Sequence, residues 1–166
     1  MFLKGNPKVA ASLADLSTNI HLYYIDDHKE RLDGEYSKLQ LEKKAMKEYL
    51  KLSDTKTRLV LRVLSAGAEA AFNAEDSEKE IDILMMKEIK ESPANFLNIV
   101  NDKQLETKAL IQELHSAGMI RKVKYTYLSD DVKLGDNLEE AALFLEDPNN
   151  SDVLLTLKSR LKHATV

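Results

Sequence analysis

Apolar side chains recur every three or four residues from about residue 36 to residue 117, then alternate one-in-two with polar ones, then return to helical spacing from residue 138. A period near 3.6 predicts helices with one buried face, and a period of two predicts strands. The chain therefore reads as helices, a short β ribbon, and helices again. Near the start, "SLADLSTNIHLYYI" predicts a short helix running into an extended stretch at Ile20–Ile25. Leu22, Tyr23, Tyr24 and Ile25 would dock on the core, and Asn6-Pro7 marks a loop.

Residues 27–52 are highly charged and helical in type. Gly34 is expected to break or bend the run, since glycine inside a helix costs about 1 kcal/mol against alanine. Beyond it Tyr36, Leu39, Met46 and Leu50 fall close to one stripe, which would pack on its own domain or on a partner. The run falls short of the three or four heptads that a coiled coil needs. Ser53 or Asp54 caps the next helix, in which Leu59, Val60, Leu61, Val63 and Leu64 leave little polar surface apart from Arg58 and Arg62. A helix apolar nearly all round is a buried one, so this is the expected central helix. The small residues Ser65–Ala68 would allow close packing.

Asp76 or Ser77 starts a third helix with Ile81, Leu84, Met85 and Ile89 inward. Ser92-Pro93 opens a short helix, "PANFLNIVN", because serine suits the N-cap and proline the first helical position. Asn101 and Gln104 have the spacing of a capping box for the helix from about Gln104 to Ala117. Gly118 sits where a left-handed residue ends a helix, followed by the apolar pair Met119-Ile120. Val123, Tyr125 and Tyr127 then alternate with Lys122, Lys124 and Thr126 as one strand. Ser129-Asp130-Asp131 is turn chemistry, and Val132 and Leu134 form a return strand. Asp136 or Asn137 caps "LEEAALFLED", and "VLLTLKSRLK" is a last amphipathic helix. The expected fold class is mainly α, with a helical N-terminal part and one short β-hairpin in the C-terminal part. The expected divisions are 1–52, 53–147 and 148–166.

Composition narrows the chemistry. The 166 residues contain no cysteine, which excludes disulfides, thiolate zinc sites and cysteine nucleophiles, and fits a reducing compartment. No apolar run approaches the roughly 20 residues that span a bilayer, and "MFLKGNPKVAAS" lacks the apolar stretch of a signal peptide. With 5 glycines, 3 prolines and no tryptophan, a sandwich or barrel of many tight turns is not expected. The net charge of -4 is unevenly spread. Leu128–Asp152 holds eight acids against Lys133 alone, so the remainder is weakly basic.

Short helix, turn, longer helix and ribbon, carried by "PANFLNIVN", "QLETKALIQELHSAG" and "MIRKVKYTYLSDDVKLG", resemble the winged helix-turn-helix family over residues 93–135. In DNA-binding members the third helix enters the major groove and the wing touches the backbone. The resemblance implies exposed Lys103, Thr107, Lys108, Gln112 and His115 on that helix, and Arg121, Lys122 and Lys124 on the wing. Thr107 and Gln112 would lie nearest base edges while Lys108, Arg121, Lys122 and Lys124 neutralise phosphate. Glu106, Glu113, Asp130 and Asp131 would oppose phosphate. The style of "FLNIVNDKQLETKALIQELHSAGMIRK" and "LGDNLEEAALFLEDPNNSDVLLTLKSRLK" is similar to proteins of tailed bacteriophages. That likeness implies a bacterial host cytoplasm or a virion.

The expected function is a non-enzymatic DNA-binding accessory protein acting in transcription control or DNA packaging, by analogy with a small terminase subunit. A homo-oligomer is expected. The alternative is a protein-interaction or virion-assembly component that uses the winged helix as a scaffold and binds partners through Tyr36, Leu39, Met46 and Leu50. A third reading makes the acidic segment a DNA mimic that inhibits a host protein. No catalytic triad, phosphate-cradling loop or paired-carboxylate motif is evident, so neither catalytic residues nor a cofactor is expected. Asp26, Asp27, His28 and Glu30 read as a solvated helix start rather than a metal site, because adjacent helical residues diverge. His115 reads as a surface residue near a helix C-terminus. Tyr125 and Tyr127 would stack bases or form the core side of the wing. Met85-Met86 suits helix packing. Asn149-Asn150-Ser151 matches a glycosylation acceptor, though nothing suggests secretion.

Overall fold

A computed structural model describes residues 7–10, 23–24, 28–66, 72 and 76–164. The chain divides into two compact units, Met1–Lys43 and Lys44–Val166. In the first, β1 (Val9–Ala10) pairs in parallel with β2 (Tyr23–Tyr24), within the stretch expected to be extended. The short helix before that stretch, and the docking of Leu22 and Ile25, lie outside the described residues. Helix α1 (His28–Tyr49) runs unbroken through Gly34, so the expected break is absent. One glycine costs about 1 kcal/mol, which a 22-residue helix absorbs. Residues 30–41 of α1 are all exposed.

The second unit is built around α2 (Asp54–Leu64). This helix packs against α3 (Glu78–Glu91), α4 (Pro93–Val100) and α5 (Leu105–Ser116), as its apolar run predicts for a central helix. Val60, Leu61, Ile81, Met85, Ile89, Phe96, Leu97, Val100 and Leu105 form one buried cluster, joined by Ala45 and Tyr49 from the end of α1. Gly67 and Ala68, expected to favour close packing, lie outside the described residues. A second cluster holds Ile111, Leu114, Ile120, Tyr127, Leu134, Ala141, Ala142, Leu145 and Leu157. Helix α5 contributes to both and so joins them. Helix α6 (Leu138–Glu146), a 3-10 turn at Pro148–Asn150 and α7 (Ser151–Ala164) complete the unit. Leu157 of α7 is fully buried, which ties the last helix into the second cluster.

Local capping follows sequence chemistry in three places. The Ser53 hydroxyl accepts from Lys56 N–H, Ser77 and Glu80 form a reciprocal capping box, and Asn137 Oδ1 accepts from Glu140 N–H at 2.8 Å. Two expectations change. Pro93 does open α4, but the Ser92 side chain makes no capping bond. Asn101 and Gln104 do not form a capping box. Asn101 Nδ2 instead donates back to the Leu97 carbonyl at 2.7 Å, and Asp102 Oδ1 accepts from Gln104 N–H at 2.8 Å. The acid between the two expected partners takes the turn because its side chain reaches the amide two residues on.

Gly118 has φ +73°, the left-handed conformation that suits glycine. Its N–H donates to His115 O at 3.0 Å and Met119 N–H to Leu114 O at 2.9 Å. This paired ending satisfies two otherwise orphaned carbonyls of α5. The chain then forms an antiparallel sheet of β3 (Arg121–Val123), β4 (Thr126–Ser129) and β5 (Val132–Gly135), in that order. The single strand expected through Tyr127 is divided by a tight turn at Lys124-Tyr125, with Lys124 at φ +58°. The two tyrosines therefore do not share a face: Tyr125 is 79% exposed and Tyr127 4%. Alternation alone does not reveal a two-residue reversal, because the pattern continues across it. At Gly135 an added Cβ would lie 2.5 Å from the Ala141 backbone nitrogen, so β5 approaches α6 more closely than any side chain allows.

Candidate functional site

Helix α5 lies against α2 on one side and α6 on another, and that placement decides what its polar residues do. Lys103, just before it, and His115 near its end are exposed as expected. Thr107, Lys108 and Gln112 are not the open reading face that the family resemblance implies. Thr107 Oγ1 donates to Glu146 Oε1 of α6 at 2.7 Å, and Gln104 Nε2 donates to the other oxygen of that carboxylate at 2.9 Å. Lys108 Nζ lies 2.6 Å from Asp102 Oδ2, with only 13% of the lysine side chain exposed. Gln112 is 8% exposed. Burial pushes the Asp102 carboxyl up, but the Lys108 ammonium and the Gln104 N–H outweigh it and hold the group below its ordinary range. Glu113 accepts from Arg62 Nη1 of α2 at 2.5 Å, and the same guanidinium lies 5.7 Å from the centre of the Phe72 ring. Arg62 thus fastens the central helix to α5.

The wing keeps its cations outward. Arg121, Lys122 and Lys124 are exposed on β3 and the turn that follows it. Arg121 Nη2 donates to the Asp130 carbonyl at 3.3 Å, and Lys122 Nζ sits 5.3 Å from the centre of the Tyr127 ring. Val123 and Tyr125, between these cations, are exposed too. Asp130, at φ +50° in the second turn, pairs with Arg160 of α7 at 2.8 Å.

The acidic segment is mostly occupied by local work that composition does not show. Asp136 accepts from Lys133 Nζ at 2.7 Å and Thr126 Oγ1 at 2.9 Å, and these partners hold its carboxyl below the ordinary range. Glu140 accepts from Asp136 N–H and from Asn137 Nδ2. Glu146 takes Gln104 and Thr107, and Asp147 Oδ1 takes Asn149 N–H. These carboxylates cap helices, fasten turns or, for Glu146, tie α6 to α5, which leaves less of a continuous acidic face than the residue count suggests.

On α1 the expected partner stripe is open to solvent over most of its length. Tyr36 is 62% exposed; Leu39 and Leu50 are exposed and Met46 is half-buried. Leu32, not expected from the sequence, extends the stripe by four residues and is 50% exposed. Its spacing to Tyr36 is the sequence signal, which a helix break at Gly34 would mask. Where α1 meets the first cluster, the Tyr49 hydroxyl hydrogen-bonds the Asp82 carboxylate. Burial, then that bond, push the hydroxyl up to about 12.

Among the described residues no group of three or more His, Asp and Glu is placed to hold a metal, and Asp26 and Asp27 lie outside them. No described helix is long and apolar enough to cross a membrane. Comparison with protein-family models, with curated proteins and with solved structures finds no match.

Proposed function

We propose that the chain is a protein-interaction or assembly component whose winged-helix-like half is a scaffold. The observation that carries this is the use of α5 inside the fold. Thr107 and Lys108 are tied to Glu146 and Asp102, and Gln112 is buried. A helix that reads bases must present such groups to the groove. Meanwhile α1 offers Leu32, Tyr36 and Leu39 to solvent. Exposed apolar residues grouped along one helix are the feature expected of a contact surface. The cysteine-free composition fits a reducing compartment.

A second reading has a specific observation behind it. Arg121, Lys122 and Lys124 face outward beside exposed Tyr125, a grouping able to meet a phosphate backbone. Contact there would be weak and independent of sequence, since few charges are involved.

Titration of labelled duplex DNA with the full chain across a salt series separates the two. Assembly function predicts no binding even at low salt. Binding that weakens steeply with salt and disappears in the Lys122→Glu, Lys124→Glu double variant would favour the wing. Base-sequence preference lost on Lys103→Glu or Thr107→Ala would overturn the scaffold reading and restore α5 as a reading helix.

A further inference from the structure

We infer that α1 pairs with α1 of a second copy of this chain, as a parallel, in-register, two-stranded coil. The inference rests on the assembly reading and names its partner. The unbroken helix is the first support. With no break at Gly34, α1 spans 22 residues, close to three heptads. Leu32, Tyr36, Leu39, Lys43, Met46 and Leu50 follow one another at intervals of four and three, which is the alternation of a coiled-coil seam. Leu32, Leu39 and Met46 take one core position of the heptad, and Tyr36, Lys43 and Leu50 the other.

The second support is that the seam, half-buried Met46 apart, is not the side of α1 used by its own core. Ala45 is buried there and Tyr49 is half-buried; at about 100° per residue Tyr49 lies at the flank of the seam, as Glu42 does, and Ala45 lies farther round. Leu50 is 75% exposed beside it.

Charge selects the partner and its direction. In a parallel pair Glu42 flanks the seam opposite Lys47 of the second copy, and lies next to the second copy's Lys43. Each chain supplies both members, so the complementarity closes on itself in a symmetric dimer. Glu42 also lies 3.9 Å from Lys38 of its own helix, a weak link that leaves it available. An antiparallel pair would set Glu42 against Glu42 and press Lys43 onto Leu39. A single lysine in a core position fixes register at some cost in stability, which makes a reversible dimer the expected state.

The chain lacks cysteine, so one introduced cysteine reports only on itself. Sedimentation equilibrium of the full chain should give twice the monomer mass, falling to the monomer in Leu32→Asp with Leu39→Asp. Under mild oxidation Leu39→Cys should form a covalent dimer and Ser37→Cys, on the outer face, should not. A monomer at the highest soluble concentration, a dimer indifferent to the aspartate variants, or equal cross-linking at the two positions would each overturn the inference. Those failures would remove self-pairing through α1. The assembly reading itself is judged by the duplex titration, which these α1 substitutions do not enter.

Discussion

Helices α1 and α5 both look amphipathic in sequence, and the fold treats them in opposite ways. On α5 Gln112 is buried, and half-buried Thr107 and Lys108 are tied to Glu146 and Asp102. On α1 the apolar residues Leu32, Tyr36 and Leu39 are left outside. A helical period tells which residues share a face. What lies against that face is decided by the elements around it. Buried polar groups with partners are part of the scaffold, whereas an uncovered apolar stripe is surface that folding has not used.

The contrast is broken most sharply by substitution. Ile111→Ala, in the second cluster, should destabilise the fold by about 2–5 kcal/mol in chemical denaturation. Tyr36→Ala should shift the same curve by no more than about 0.5 kcal/mol when measured on dilute monomer. Comparable losses at the two positions would mean that α1 is covered like α5. Gly135→Ala comes next, at roughly 1–3 kcal/mol, because the new methyl overlaps the start of α6 and must displace it.

Much of this is legible in the sequence. Gly118, Ser53 and Asn137 mark helix ends by side-chain chemistry that acts within a few residues, and each behaves so. The seamless apolar run of α2 announced a central helix. What was hidden depends on partners distant in sequence. Glu146 lies 39 residues from Thr107, and Arg62 lies 51 from Glu113. No local pattern foretells those meetings, and so the polar face of α5 looked free. The turn at Lys124-Tyr125 is hidden for a different reason: it inserts two residues and so preserves the alternation. Leu32 joins the stripe only because the helix continues through Gly34, against the local propensity of glycine.

Smaller effects sharpen the same contrast. Lys108→Ala should cost roughly 1–3 kcal/mol, since it strips Asp102 of its cation in a partly buried setting. Lys103→Ala, on exposed surface, should change stability by about 0.5 kcal/mol or less. The Lys108 effect carries a pH signature. The folded Asp102 carboxyl is held below its ordinary value, so its stabilisation is present above about 4 and is lost as pH falls through the lower folded value. The gap between wild type and Lys108→Ala should therefore close on acidification, in thermal melts across that window. Gly118→Ala is expected to cost about 1 kcal/mol, from the left-handed backbone alone, because nothing lies within 4 Å of the added methyl.

The central claim is that the polar face of α5 belongs to the interior of the scaffold. Brief acylation of the native chain, read lysine by lysine by mass spectrometry, tests it most directly. Lys108 should react far more slowly than Lys103, Lys122 and Lys124, and reach their rate only after denaturation. If Lys108 is modified as fast as Lys103 in the native chain, the face is open and the scaffold reading is wrong.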